Sequence, residues 1–278
     1  MNHTSSELAV ESADACDSHC SRQPVILLGA SNLTIGWKPL LRALTSRVDR
    51  AVDVFASLGM GRSYVDWSAF GFRRLPGISK CGIWHSLRQQ YPQPEYPPLV
   101  LFTDVGNDLV YGRSPDNVMT SIRDCIEQLM DWNPDCHLVF TGLPLHSVNN
   151  LSRIRFSVAR AILFPGSGLQ LRDVQRNANL LDELVQNEAR QWKASFVQPE
   201  PNWYGLDPIH VRRRYREEAF RRFFDHWPQQ GGQLKGGTES FTSTMPALPV
   251  AEVRELWGRI RSVPQPCFDS PRLRVFGF

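Results

Sequence analysis

Pro24-Val25-Ile26-Leu27-Leu28-Gly29-Ala30-Ser31-Asn32 opens the ordered reading of this chain. Pro24 to Gly29 is a short apolar run closed by Gly, too short for helical periodicity, and it reads as a buried parallel strand. Leu33 to Val48 then carries Leu40, Leu41, Leu44 and Val48 at helix-like intervals. Working outward, strands are expected near 24–29, 51–56, 98–103, 137–141 and 194–198. Helices are expected near 34–48, 116–132, 174–193 and 211–226, with Pro115-Asp116 as a start signal and Asn133-Pro134 as a stop. Strands that alternate with helices predict an α/β fold with a parallel sheet.

Polar groups gather where these strands end. Ser31 lies between a strand and a helix, where free amides favour negative charge and where open α/β sheets bind ligands. Taken alone, it reads as a helix cap. Asp207-Pro208-Ile209-His210 alters that reading, because a hydroxyl becomes a nucleophile when an imidazole takes its proton and a carboxylate orients the imidazole. An Asp and a His three apart can face the same way and bond. Val105-Gly106-Asn107-Asp108 follows the apolar run Leu99 to Phe102. An Asn amide there could donate to an oxyanion, or simply close an Asx turn. Ser57-Leu58-Gly59-Met60-Gly61-Arg62 follows the strand at Val52 to Ala56, and its glycines let a backbone N–H approach a ligand or form an ordinary turn.

Ser, Gly, Asn and Asp-x-x-His blocks in this order, each at a strand end, resemble the SGNH hydrolase superfamily, the GDSL-type esterases and lipases. The resemblance spans roughly 24–228. It implies a three-layer αβα sandwich with a central parallel sheet of about five strands in flavodoxin-like order. It implies Ser31 as nucleophile, His210 as general base and acid, and Asp207 as its orienter. The Ser31 amide, the Gly61 amide and the Asn107 side chain would then donate to the oxyanion. Gly59 is the other candidate glycine; Asn32, Asp108 and Arg212 would also lie near substrate. The chain departs from the family pattern at Ala30, where an Asp is usual, and at Val105, where a Gly is usual.

The remaining sequence bounds this reading. With 278 residues and 42% hydrophobic content, the chain can bury a substantial core. A net charge of +3 is too small to argue for nucleic acid. Arg212, Arg213, Arg214, Arg216, Arg221 and Arg222 are offset by Glu217, Glu218 and Asp225 and read as a solvated face, with Arg212 or Arg213 as the pair able to steer an anionic substrate. No run reaches the ~18 apolar residues of a membrane span, and Met1 to Gln23 lacks the form of a secretory signal, so a cytoplasmic location is expected. The six cysteines form no Cys-x-x-Cys pair. Cys16, His19 and Cys20 fall short of a tetrahedral set, so neither metal nor cofactor is expected. Three regions are expected: a flexible tail over 1–23, the hydrolase-like domain over 24–228, and a linker with an amphipathic helix and tail over 229–278. Val253, Leu256, Trp257 and Ile260 define that helix. The long excursions 61–98 and 142–172 are expected to wall the pocket, most of their aromatics packing on the core. Two alternatives stand: a catalytically silent module of the same fold, and a dinucleotide-binding unit, whose G-x-G-x-x-G pattern Gly29, Ser31 and Leu33 do not supply.

Overall fold

A computed structural model describes residues 22–157, 168, 170–228 and 245–278. Residues 1–21 of the expected tail, most of the expected linker and the Cys16-His19-Cys20 cluster lie outside these residues, while Gln23 already belongs to the first strand. At the centre, β1 (Gln23–Leu28), β2 (Val52–Ser57), β5 (Leu99–Phe102), β6 (His137–Thr141) and β7 (Ser195–Val197) run parallel in the order β2-β1-β5-β6-β7. This is the flavodoxin-like order, and every residue of β1, β2 and β5 is buried. Near-continuous apolar strands are what burial on both faces demands.

Two cores flank the sheet. On one side, α2 (Trp37–Arg47) and α7 (Arg216–Phe224) pack over Leu27, Val54 and Leu101. On the other, α3 (Ile83–Gln90), α4 (Pro115–Trp132) and α6 (Leu171–Gln191) pack over Ile26, Phe55 and Phe102. A short helix, α1 (Ser31–Ile35), precedes α2, and another, α5 (Leu145–Asn149), follows β6. The chain leaves β1 for β2 on one side and later reaches β5 on the other, so a crevice opens at the carboxyl ends of β1 and β5.

The C-terminal region corrects the expected domain plan. Residues 251–263 form no helix: β8 (Val253–Leu256) and β9 (Arg259–Ser262) make an antiparallel hairpin. Trp257 and Gly258 turn it with φ of 52° and 75°, a pair of left-handed residues that closes a tight hairpin and cannot continue a helix. This hairpin joins β3 (Ser68–Phe70) and β4 (Arg73–Leu75) in a separate four-stranded sheet, β3-β4-β8-β9. The tail then enters the main sheet. There β11 (Leu273–Gly277) pairs parallel with β2, and β10 (Phe268–Asp269) pairs antiparallel at the edge, which brings the sheet to seven strands. A boundary at 228 therefore cuts through one core.

The ending Phe276-Gly277-Phe278 acquires a physical account. Phe276 stacks on Phe55 at 4.5 Å with planes 1° apart, and both Phe276 and Phe278 are buried. A Cβ on Gly277 would meet Val250 O at 2.5 Å, so only glycine allows the approach. Within β2, Asp53 fastens this strand: its carboxylate accepts from Arg22 Nε at 2.5 Å, from Arg274 and from Tyr91 Oη at 2.5 Å. Burial and the neighbouring Asp53 carboxylate push the Tyr91 hydroxyl far above its usual range.

Candidate active site

Ser31 is the first residue of α1, yet its side chain does not cap the helix. The capping falls to Asp104, which follows β5. Its Oδ2 accepts from the amides of Ala30 and Asn32, each at 2.9 Å, and its Oδ1 accepts from Asn32 Nδ2 at 2.7 Å. A carboxylate suits the positive end of a helix. Asp104 holds a left-handed backbone with φ of 57°, an uncommon conformation that turns its side chain toward α1. Sequence reasoning passed over Asp104 in favour of Asp108. The available signal was its place directly after the Leu99–Phe102 run and Thr103.

Asn32 extends this arrangement to the distant end of the chain. Its Nδ2 donates to Ile209 O at 3.0 Å and its Oδ1 accepts from Val211 N at 2.9 Å, so one amide side chain grips the residues on either side of His210. His210 Nδ1 lies 2.6 Å from Asp207 Oδ2, and Asp207 Oδ1 accepts from the amides of Ile209 and His210, each at 3.1 Å. Partial burial works against the Asp207 charge. The bonds from the His210 ring and from these two amides outweigh it and hold the carboxyl below its usual range. The His210 side chain is 12% exposed. Among the described residues Ser31 Oγ has no hydrogen-bond partner, His210 included.

Asn107 lies in the 3₁₀ segment Val105–Tyr111, where its Nδ2 donates to Arg62 O at 2.7 Å. Tyr111 Oη donates to Gly61 O at 2.6 Å, which ties the same segment to the glycine turn a second time. Gly61 has φ of +67°, a left-handed position that favours glycine. Gly59 instead packs against Leu75 and Arg73 of the small sheet, where a Cβ would meet Leu75 at 2.4 Å. The four sequence blocks are thus joined by hydrogen bonds. Asp104 and Asn32 link the Ser31 turn to the β5 end, Asn32 links it to His210, and Asn107 links the β5 end to the Gly61-Arg62 turn.

A cavity of about 120 Å³ opens at this point, with Ser31, Asn32 and Asn107 on its wall beside Ile209 and Val211. Most other walls are apolar, among them Leu109, Leu143, Val174 and Phe220. The excursion after β6 supplies Leu143 and Val148, as expected, and Asp182 secures its turn by accepting from Leu143 N at 2.6 Å. The excursion 61–98 does not line the cavity: Tyr64, Trp84 and Tyr91 are buried in the core, while Trp67, Phe70 and Phe72 are exposed.

Two expected substrate-proximal residues lie elsewhere. Asp108 is fully buried, where its carboxylate accepts from Ser63 Oγ and, at 2.8 Å, from Tyr64 N. Burial raises its pKa, and the bonds from Ser63 and Tyr64 oppose the rise, so this acid braces the loop instead of facing a ligand. Arg212 is exposed and turned toward Gly205. Arg216 reaches the cavity in its place, with Nε donating to Val211 O at 3.0 Å and one terminal nitrogen donating to Ile35 O at 2.9 Å. The rest of the arginine run behaves as a solvated face, with exposed pairs such as Arg42–Glu217 and Arg221–Glu217.

No family model and no curated protein sequence matches this chain. Solved structures similar to it include a psychrotrophic esterase of Pseudoalteromonas sp., at 11% identity and a TM-score of 0.45, covering 73% of this chain and 94% of that one. A putative GDSL-like lipase from Parabacteroides merdae has 10% identity and a TM-score of 0.42, covering 74% and 96%. A family 3 carbohydrate esterase from Talaromyces cellulolyticus has 13% identity and a TM-score of 0.40, covering 73% and 92%. Among the described residues no helix is long and apolar enough to cross a membrane.

Proposed function

We propose that this protein hydrolyses carboxylic esters through an acyl-enzyme on Ser31. The supporting observation is Asn32, which joins the nucleophile's own turn to both neighbours of His210 while Asp207 bonds the ring. His210 takes the Ser31 proton as Oγ attacks the ester carbonyl carbon, and the carbonyl electrons move onto oxygen. Collapse of that intermediate expels the alcohol, which carries away the proton from His210. Water then attacks the acyl-enzyme with the same base assisting and releases the acid and free Ser31. Asp207 remains ionised throughout and stabilises the imidazolium.

The Ser31 amide, the Gly61 amide and the Asn107 side chain are the proposed oxyanion donors, and one such donor is worth ~3 kcal/mol in the transition state. Asp104 takes the amides that flank Ser31 and leaves that of Ser31 to the oxyanion. The apolar cavity walls suit an uncharged acyl group. Ser31 Oγ meets the His210 ring in this reading through a side-chain rotation once substrate fills the cavity, since catalytic bonds often tighten only in the complex.

Treatment with a fluorophosphonate probe followed by peptide mapping tests the assignment. Label is expected on Ser31, and Ser31→Ala should cut hydrolysis of a short-chain aryl ester by about a thousandfold or more, with His210→Ala nearly as severe. Wild-type-like turnover in Ser31→Ala would refute the reading.

A further inference from the structure

The small sheet exposes aromatic surface that the hydrolytic reading leaves unused. The tips of its two hairpins meet, with the Phe72 ring 4.7 Å from the Trp257 ring and the planes 5° apart. Trp257 N also donates to Phe72 O at 3.2 Å. This stack faces solvent: Phe72 is 58% exposed and Trp257 77%. Phe70 and Ile260, on the same two hairpins, are exposed as well. Contiguous exposed apolar surface is unusual in a protein that binds nothing there.

Two further observations bear on what covers it. Trp257 occupies a left-handed conformation that Asn or Gly would adopt more readily, so the chain bears local strain to hold an indole at the tip. The flanks are cationic. Arg74 is paired with Glu255, whereas Arg259 and Arg261 have no ion-pair partner among the described residues and lie on a strand exposed along its whole length. Phe70, beside the first tip, lies near the glycine turn, since a Cβ placed on Gly61 would be 3.7 Å from its ring.

We propose that the paired hairpin tips dock this protein on an anionic lipid surface, the Phe72–Trp257 stack entering the headgroup layer while Arg259 and Arg261 engage phosphates. Tryptophan favours that boundary, where an apolar ring meets water, and guanidinium groups match phosphate oxygens. A polysaccharide would call for side chains that bond hydroxyls around the rings, whereas the flanking strand offers fixed positive charge. The exposed aromatic area is concentrated at the ends of two hairpins, which suits shallow insertion more than a broad protein interface. This docking is independent of whether Ser31 reacts.

Flotation of the full chain with vesicles tests it, comparing phosphatidylcholine alone with phosphatidylcholine mixed with phosphatidylglycerol. Wild type should float with the anionic vesicles, and less so as salt rises. Phe72→Ser combined with Trp257→Asn, which preserves the left-handed turn, should weaken partitioning by about tenfold or more. Arg259→Gln with Arg261→Gln, a pair on an exposed strand whose fold is not at stake, should weaken it by about fivefold per arginine. Circular dichroism checks that both variants retain the wild-type fold. Failure of wild type to float with anionic vesicles, unchanged partitioning of either folded variant, or retention on an insoluble polysaccharide in place of vesicles would overturn the proposal.

Discussion

Two acids at opposite ends of the sheet are held in contrasting ways. Asp53, at the amino end of β2, is fully buried and meets two guanidinium groups and a phenol. Asp104, at the carboxyl end of β5, meets two backbone amides and one carboxamide and takes part in no ion pair among the described residues. The first pairs with both guanidinium groups and ties residues 22 and 274 to β2. The second leaves its charge beside the helix end that carries Ser31, where it accepts from backbone and carboxamide N–H groups. One acid joins strands from the two ends of the chain, and the other holds a turn.

Replacing each acid by its amide should separate the two roles. Asp53→Asn leaves Arg22 and Arg274 buried without a counter-charge, so unfolding free energy should drop by about 3–5 kcal/mol, read from denaturant midpoints, with specific activity of the folded fraction retained. Asp104→Asn places an N–H against the donors at Ala30 and Asn32, which displaces the Ser31 turn and loosens the grip on His210. Turnover of an aryl ester should fall by about a hundredfold, while stability changes by about 1–2 kcal/mol. If Asp104→Asn proved mainly a stability variant, the contrast between the two ends would fail.

The next test sharpens the site's end. In the proposed mechanism a neutral imidazole accepts the proton, so kcat/KM should rise with pH along a single acid limb and then level. The folded pKa of Asp207 lies below its ordinary value, so any stability this group contributes is present above the ordinary carboxylate range and is lost only as pH falls through that lowered value. A limb two protons steep would contradict a single proton-accepting group. The smallest effect concerns the tail strand. Gly277→Ala forces a Cβ onto Val250 O and should cost about 1–3 kcal/mol in thermal unfolding without changing kcat.

Much of the central sheet was legible because buried parallel strands are written as uninterrupted apolar runs. All five core strands lie within a residue or two of their expected bounds. The C-terminal region was not legible in the same way. Val253, Leu256, Trp257 and Ile260 fit a helical spacing, and only the left-handed Trp257-Gly258 turn, with strand pairing to β4, makes them a hairpin. Phe276 looked like the end of a tail because its partner Phe55 lies more than two hundred residues earlier. Asp108 was singled out and Asp104 was not, because only burial against Ser63 and Tyr64 removes Asp108 from the site. Arg212 and Arg216 are four positions apart, but Arg212 lies in extended backbone before a 3₁₀ turn, and only Arg216, the first residue of α7, reaches the cavity.

The sequence by itself determined the alternation of strand and helix and the placement of Ser31, Asn107, Asp207 and His210 at chain turns. These are local properties, set by apolar run length, turn residues and spacings of a few residues. Only the tertiary structure decided that Asn32 holds the His210 segment, that Asp104 anchors Asn32, and that the tail completes the sheet. Such contacts join residues about seventy to two hundred positions apart, and nothing in the local pattern encodes a hydrogen bond whose two partners meet only when the sheet closes.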